Sequence, residues 1–145
     1  MRRIRLLAAV AAVCLLLTGC GLGAVQERTE KLRILRYVQE NEALLTDCIA
    51  SGDYSPLDGE TLISEISTEL DAVDFQCGGS GFGSQTNYWG FFYSEADNKT
   101  DVWCCPADAL LMEDGKGWSW SESEGDNSYY VEPISGHFYY YYAHF

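Results

Sequence analysis

Positive charge is what this sequence has least of. Nine Lys and Arg stand against 22 Asp and Glu, a formal net charge of −13, and beyond Val38 only Lys99 and Lys116 are basic. So acidic a surface repels polyanions, which sets nucleic-acid binding aside. Metal chemistry is short of its usual ligands as well. The only histidines are His137 and His144, and none of the six cysteines forms a C-x-x-C pair, so we expect no metal site. The glycine run Gly78, Gly79, Ser80, Gly81, Phe82, Gly83 lacks the Lys and Ser/Thr of a phosphate-binding loop. It also lacks the Gly two residues after Ser80 that a nucleophile elbow requires, since Phe82 stands there. We read it as a turn between strands, with glycines at positive φ. No cofactor motif is present. Nor is there an apolar run long enough to span a bilayer. Leu6 to Leu17, twelve residues without a charge, would reach about 18 Å as a helix against about 30 Å of hydrocarbon.

That run is instead the apolar stretch of a secretory signal, preceded by Arg2, Arg3 and Arg5. It ends Leu17, Thr18, Gly19, Cys20, an order that resembles the lipobox of bacterial lipoproteins. The resemblance implies diacylglycerol on the Cys20 sulfur, cleavage between Gly19 and Cys20, and display on the outer face of the cell membrane. Two acyl chains hold where one would not, since each buried CH₂ contributes roughly 0.8 kcal/mol. Removing 19 of 145 residues leaves 126, enough for one domain, and lowers the net charge to −16 because three arginines depart. The expected organisation is a signal over 1–19, a lipidated tether over 20–25 and a single domain over 26–145. Arg28, Lys31, Arg33 and Arg36 cluster near the anchor. They suit either anionic headgroups, at about 1 kcal/mol per residue, or a solvated helix face. Cys48, Cys77, Cys104 and Cys105 remain in the domain, an even number in an oxidising compartment. Of the three full pairings, a bond between adjacent Cys104 and Cys105 needs a strained turn, so Cys77 with one of those two is the expected disulfide, the alternative being four buried thiols.

Gln26 to about Ala50 reads as a helix, with Ile34, Val38, Leu45 and Ile49 near helical spacing, a Glu27–Lys31 pair, and Gly52 to stop it. Cys48 should share the apolar face. A second helix is expected from Ser55, with Pro56 in its first turn, Asp58 as an approximate capping box and the stripe Leu62, Ile66, Leu70, Val73, although Gly59 opposes it. Beyond Val73, short aromatic runs alternate with Gly, Asn, Asp and Pro, the pattern of strands and turns. The strands so drawn are 73–77, 87–94, 100–104, 117–123, 128–132 and 137–144. Trp118 and Trp120 alternate with Ser119 and Ser121, which suits one buried face. The last strand carries large groups on both faces and should be covered on both. The expected class is α+β: one or two N-terminal helices packed on an antiparallel meander of about five strands.

The segments GGSGFGSQTNYWGFFYS, GDNSYY and HFYYYYAHF, between Cys77 and Phe145, resemble a group of uncharacterised small lipoproteins and secreted proteins of clostridial gut bacteria. The resemblance implies a family domain and transfers no functional residues. Residues 26–72 lie outside it.

Acidic turns at 95–101, 113–114 and 122–127 lack EF-hand spacing and read as solvated. His137 and His144 have no identifiable serine or cysteine partner, so no catalytic residue is assigned. The surplus is aromatic, with four Trp and ten Tyr in one small domain. Their amphipathic rings suit both core packing and recognition of sugars or proteins. Trp89, Trp103, Trp118 and Trp120 are the candidate binding aromatics. We expect a non-catalytic ligand- or protein-binding module at the cell surface, with a cell-surface protein or glycan as its candidate partner. The alternatives are a carbohydrate-acting enzyme using paired carboxylates and a purely structural envelope lipoprotein.

Overall fold

The computed structural model describes side chains over residues 27–83 and 85–145, and the backbone alone over residues 2–26. The lipobox, the cleavage point at Gly19, Cys20 and the tether over 20–25 therefore fall where side chains are not described. Among the described residues no helix is long and apolar enough to cross a membrane. The chain divides into two compact units, Met1–Arg33 and Ile34–Phe145. The first is helical from Arg2, and Arg33 pairs with Glu30 at 3.6 Å.

The second unit begins within helix α1 (Arg2–Ser51). Ile34, Val38, Leu45 and Cys48 are buried and recur on one face, as the sequence spacing suggested. The helix ends at Ser51: the Gly52 N–H closes the last turn on the Cys48 carbonyl at 2.8 Å, and Gly52 itself, left-handed at φ +70, turns the chain out of the helix.

No second helix follows. Ser55–Leu57 makes a single 3₁₀ turn, Asp58 is already extended at ψ 126, and Gly59 at φ +88 takes the chain away. The stripe expected on that helix is dispersed: Leu62 is buried, Ile66 lies in β1 (Glu65–Ser67), Leu70 is half exposed, and Val73 opens β2 (Val73–Phe82). β-branched residues at two of the four positions pack well on a pleated sheet, and no capping hydrogen bond holds a helix start there.

The remaining strands are β3 (Gln85–Tyr93), β4 (Met112–Asp114), β5 (Gly117–Ser121), β6 (Ser128–Ser135) and β7 (Phe138–His144). They form one seven-stranded antiparallel sheet in the order β1-β2-β3-β7-β6-β5-β4. The sheet is larger than expected and is not a single meander. Two meanders, β1 to β3 and β4 to β7, join where β3 pairs with β7. The connection over 94–111 carries the chain from the centre of the sheet to its far edge. Residues 100–104, expected as a strand, belong to this connection; their apolar side chains cover a sheet face instead of joining a ladder. The glycine run pairs within β2 up to Phe82, with Gly81 and Gly83 at positive φ.

Both faces of the sheet are buried. Phe75, Phe91, Phe138 and Tyr140 pack under α1, with Phe75 and Phe91 stacked at 4.6 Å. Their neighbours of opposite parity, Phe92, Tyr139, Tyr141 and Ala143, pack beneath Val102, Cys104 and Cys105 of the 94–111 connection. Period-two alternation thus serves two cores, and β7 is covered on both sides as its sequence implied.

Candidate functional site

The connection over 94–111 is held to the sheet by hydrogen bonds from tyrosine tips. Tyr129 Oη donates to the Lys99 carbonyl at 2.9 Å, and Tyr139 Oη donates to Asp97 Oδ1 at 2.8 Å. Nδ1 of His137 lies 2.9 Å from the same Asp97 oxygen. These contacts, His137 first, hold the Asp97 carboxyl below its usual range. They also accompany an uncommon backbone, since Asp97 is non-glycine at φ 55. Lys99 lies over the Trp118 ring at 4.5 Å. The aromatic bodies are core and their polar tips fix a loop.

Strapped down in this way, the loop places Val102 and Trp103 beside β1 and β2, and two adjoining hollows open there. One, about 130 Å³, is lined by Leu70, Ala72, Asp101 and Val102 together with Ser67, Glu69, Asp74 and Trp103. The other, more open and about 330 Å³, shares those last four and adds Glu65 and Gln76. Trp103 stands 47 % exposed at the mouth, with the Tyr88 ring set edge-on against it at 4.9 Å.

Asp74 forms the floor. Its place on β2 faces the Cys104 core, and it is only 6 % exposed. Burial pushes its carboxyl up to about 6, Glu65 adds to the rise, and the Tyr141 hydroxyl and Trp103 indole nearby hold it back in part. Tyr141 Oη, a buried donor, faces the Asp74 carboxyl there. Gly90 makes room for this arrangement, since a Cβ there would fall 2.4 Å from the Phe75 carbonyl oxygen and 2.8 Å from Tyr141 Oη. Asp101 is raised by burial and then by Asp71. Among the described residues, none of Glu65, Glu69, Asp74 and Asp101 is in an ion pair, and no Lys or Arg lines either hollow.

The candidate tryptophans separate. Trp103 lines the cleft, Trp89 packs in the α1-side core, and Trp118 and Trp120 pack against the opposite one. Cys77 lies on the α1 side with Cys48, its Sγ donating weakly to the Phe75 carbonyl at 3.6 Å. Cys104 and Cys105 are buried thiols on the other side of the sheet, so the expected bridge from Cys77 is not formed in this structure. Burial pushes Cys105 up to about 12 and Cys104 well above the ordinary thiol value. His144 bonds Asn87 at 2.8 Å across β3 and β7. Among the described residues no three His, Cys, Asp or Glu side chains converge as a metal site requires.

Sequence reasoning missed Asp74. The available signal was a lone acid between Val73 and Phe75, at the start of a strand whose two faces both turn out to be buried. No protein-family model matches the chain, and neither does any curated protein or solved structure.

Proposed function

We propose that the chain is a lipid-anchored binding module, processed before Cys20 and held at the outer face of the membrane, whose ligand sits in the cleft beneath Trp103. The observation that carries this reading is the cleft itself, two adjoining hollows with a half-exposed tryptophan at the mouth and a buried carboxyl, Asp74, in the lining. A fold does not retain a buried carboxyl for stability, because taking it out of water is costly. The lipobox order and the clostridial lipoprotein resemblance support the placement at the cell surface, where the partner is a small molecule or a group on a protein or glycan.

The test is photocrosslinking in the native cell, with benzoylphenylalanine substituted at Trp103 or, as a control, at the fully exposed Phe82. Position 103 should yield a discrete adduct that position 82 does not. Equal yields from both would contradict the reading.

A second reading, a carbohydrate-acting enzyme, is favoured by the gathering of Glu65, Glu69 and Asp101 around Asp74, whose carboxyl burial pushes up to about 6. It requires that Asp74→Asn abolish turnover of an oligosaccharide while leaving its binding intact.

A further inference from the structure

We propose that the open edge of β4 takes up an extended segment of a cationic partner protein, a strand whose apolar residues alternate and which ends in Lys or Arg. The inference stands apart from the cleft, which lies at the opposite edge of the sheet.

Position comes first. β4 is the last strand of the sheet and, among the described residues, pairs only with β5, so its outer N–H and C=O groups are a template for one more strand. Proteins commonly blunt such edges with Lys or Pro. The segment ALLMED at 109–114 has neither.

Its side chains add a contact surface. Ala109 and Leu111 pack into the core beneath the 94–111 connection, whereas Leu110 and Met112, of the other parity, are 85 % and 73 % exposed. Among the described residues no other large aliphatic side chain is as exposed. The reason is architectural. Met112 stands opposite Ser119, and Ser119 opposite Tyr130, whose ring packs on the α1 side, but that core draws on no residue of β4 or β5. The helix stops short of this corner and leaves it uncovered.

Charge decides what kind of chain covers it. Asp108, Glu113 and Asp114, all exposed, flank the two apolar side chains, against Lys116 alone in the turn beyond. Like charges set opposite one another weaken a ladder, so two copies of this edge repel. The net charge of −13 turns away anionic partners as well. A strand with basic residues opposite Glu113 and Asp114 and apolar ones opposite Met112 and Leu110 suits all four positions.

The test is NMR titration of the nitrogen-15-labelled full-length chain in detergent micelles, at about 150 mM salt so that diffuse attraction is screened. The probes are the peptides acetyl-KKVTVT-amide, its charge-reversed form acetyl-EEVTVT-amide, and acetyl-KKPTPT-amide, which keeps the charge but loses two strand N–H groups. The first should shift the amides of residues 110–114 saturably, and the other two should not. Glu113→Lys combined with Asp114→Lys should weaken the first peptide about tenfold and admit the second. Leu110→Ser combined with Met112→Ser should weaken the first about fivefold. Glu95→Lys, an exposed acid in the turn after β3, should leave it unchanged. Near-UV circular dichroism confirms that each variant retains its fold.

Equal shifts from the proline peptide would reduce the effect to charge alone and overturn the inference, as would equal binding of the acidic peptide or no saturable shift from the first. Shifts at 110–114 that grow with protein concentration, without any peptide, would assign the edge to a second copy and overturn it too.

Discussion

Asp74 occupies a strand position that an apolar side chain would fill with a gain in stability. Its carboxyl is pushed from 3.8 up to about 6, chiefly by burial. The groups facing it are Glu65 from β1, Tyr129 from β6, Tyr141 from β7 and Trp103 and Cys104 from the connection. A raised acid favours the folded state while protonated. Its contribution is therefore full below about pH 4 and is lost as pH rises through 6. Two units correspond to at most about 3 kcal/mol. Asp74→Asn should thus be more stable than the parent by about 1–3 kcal/mol at pH 7, the two converging near pH 4; urea unfolding at a series of pH values checks this. A difference that does not change with pH would contradict it. Tyr129→Phe removes the hydroxyl that holds the Lys99 carbonyl and should cost about 1 kcal/mol by the same measurement. Asp74 was hard to read from sequence because its significance depends on what lies over it. Residues 101–103 arrive from a connection that no local pattern places above β2.

At the scale of elements, α1 and most strands were legible because their periodicities have one solution. Ile34, Val38 and Leu45 define a helix face, and the aromatic runs alternate between two cores. Gly52 marks the helix end for a backbone reason. Replacing it with Ala at φ +70 should cost about 1 kcal/mol, measurable as a lowered melting temperature. Two elements misled. Leu62, Ile66, Leu70 and Val73 fall at helical spacing, yet Gly59 and the absence of a cap leave them to β1, a connection and β2. Val102 to Cys105 reads as a strand because it is apolar, but it serves as a cover, its turn closed by Cys105 N–H to the Val102 carbonyl at 3.0 Å. An apolar run reports burial before it reports pairing.

For the molecule as a whole, charge sets the terms on which the cleft works, and the proposed anchor has its own test. Cys20→Ala should abolish metabolic labelling by a clickable fatty acid and release the chain to the soluble fraction; label retained on the variant would contradict the lipid anchor. A body with two lysines beyond Val38 supplies few cations of its own, and no Lys or Arg lines the cleft, so no basic lining residue offsets the rise that burial imposes on Asp74. Carbon-13 NMR titration of the Asp74 carboxyl tests this most directly. A midpoint of about 6 is the expected result. A midpoint near the ordinary value of about 3.9 would contradict the account.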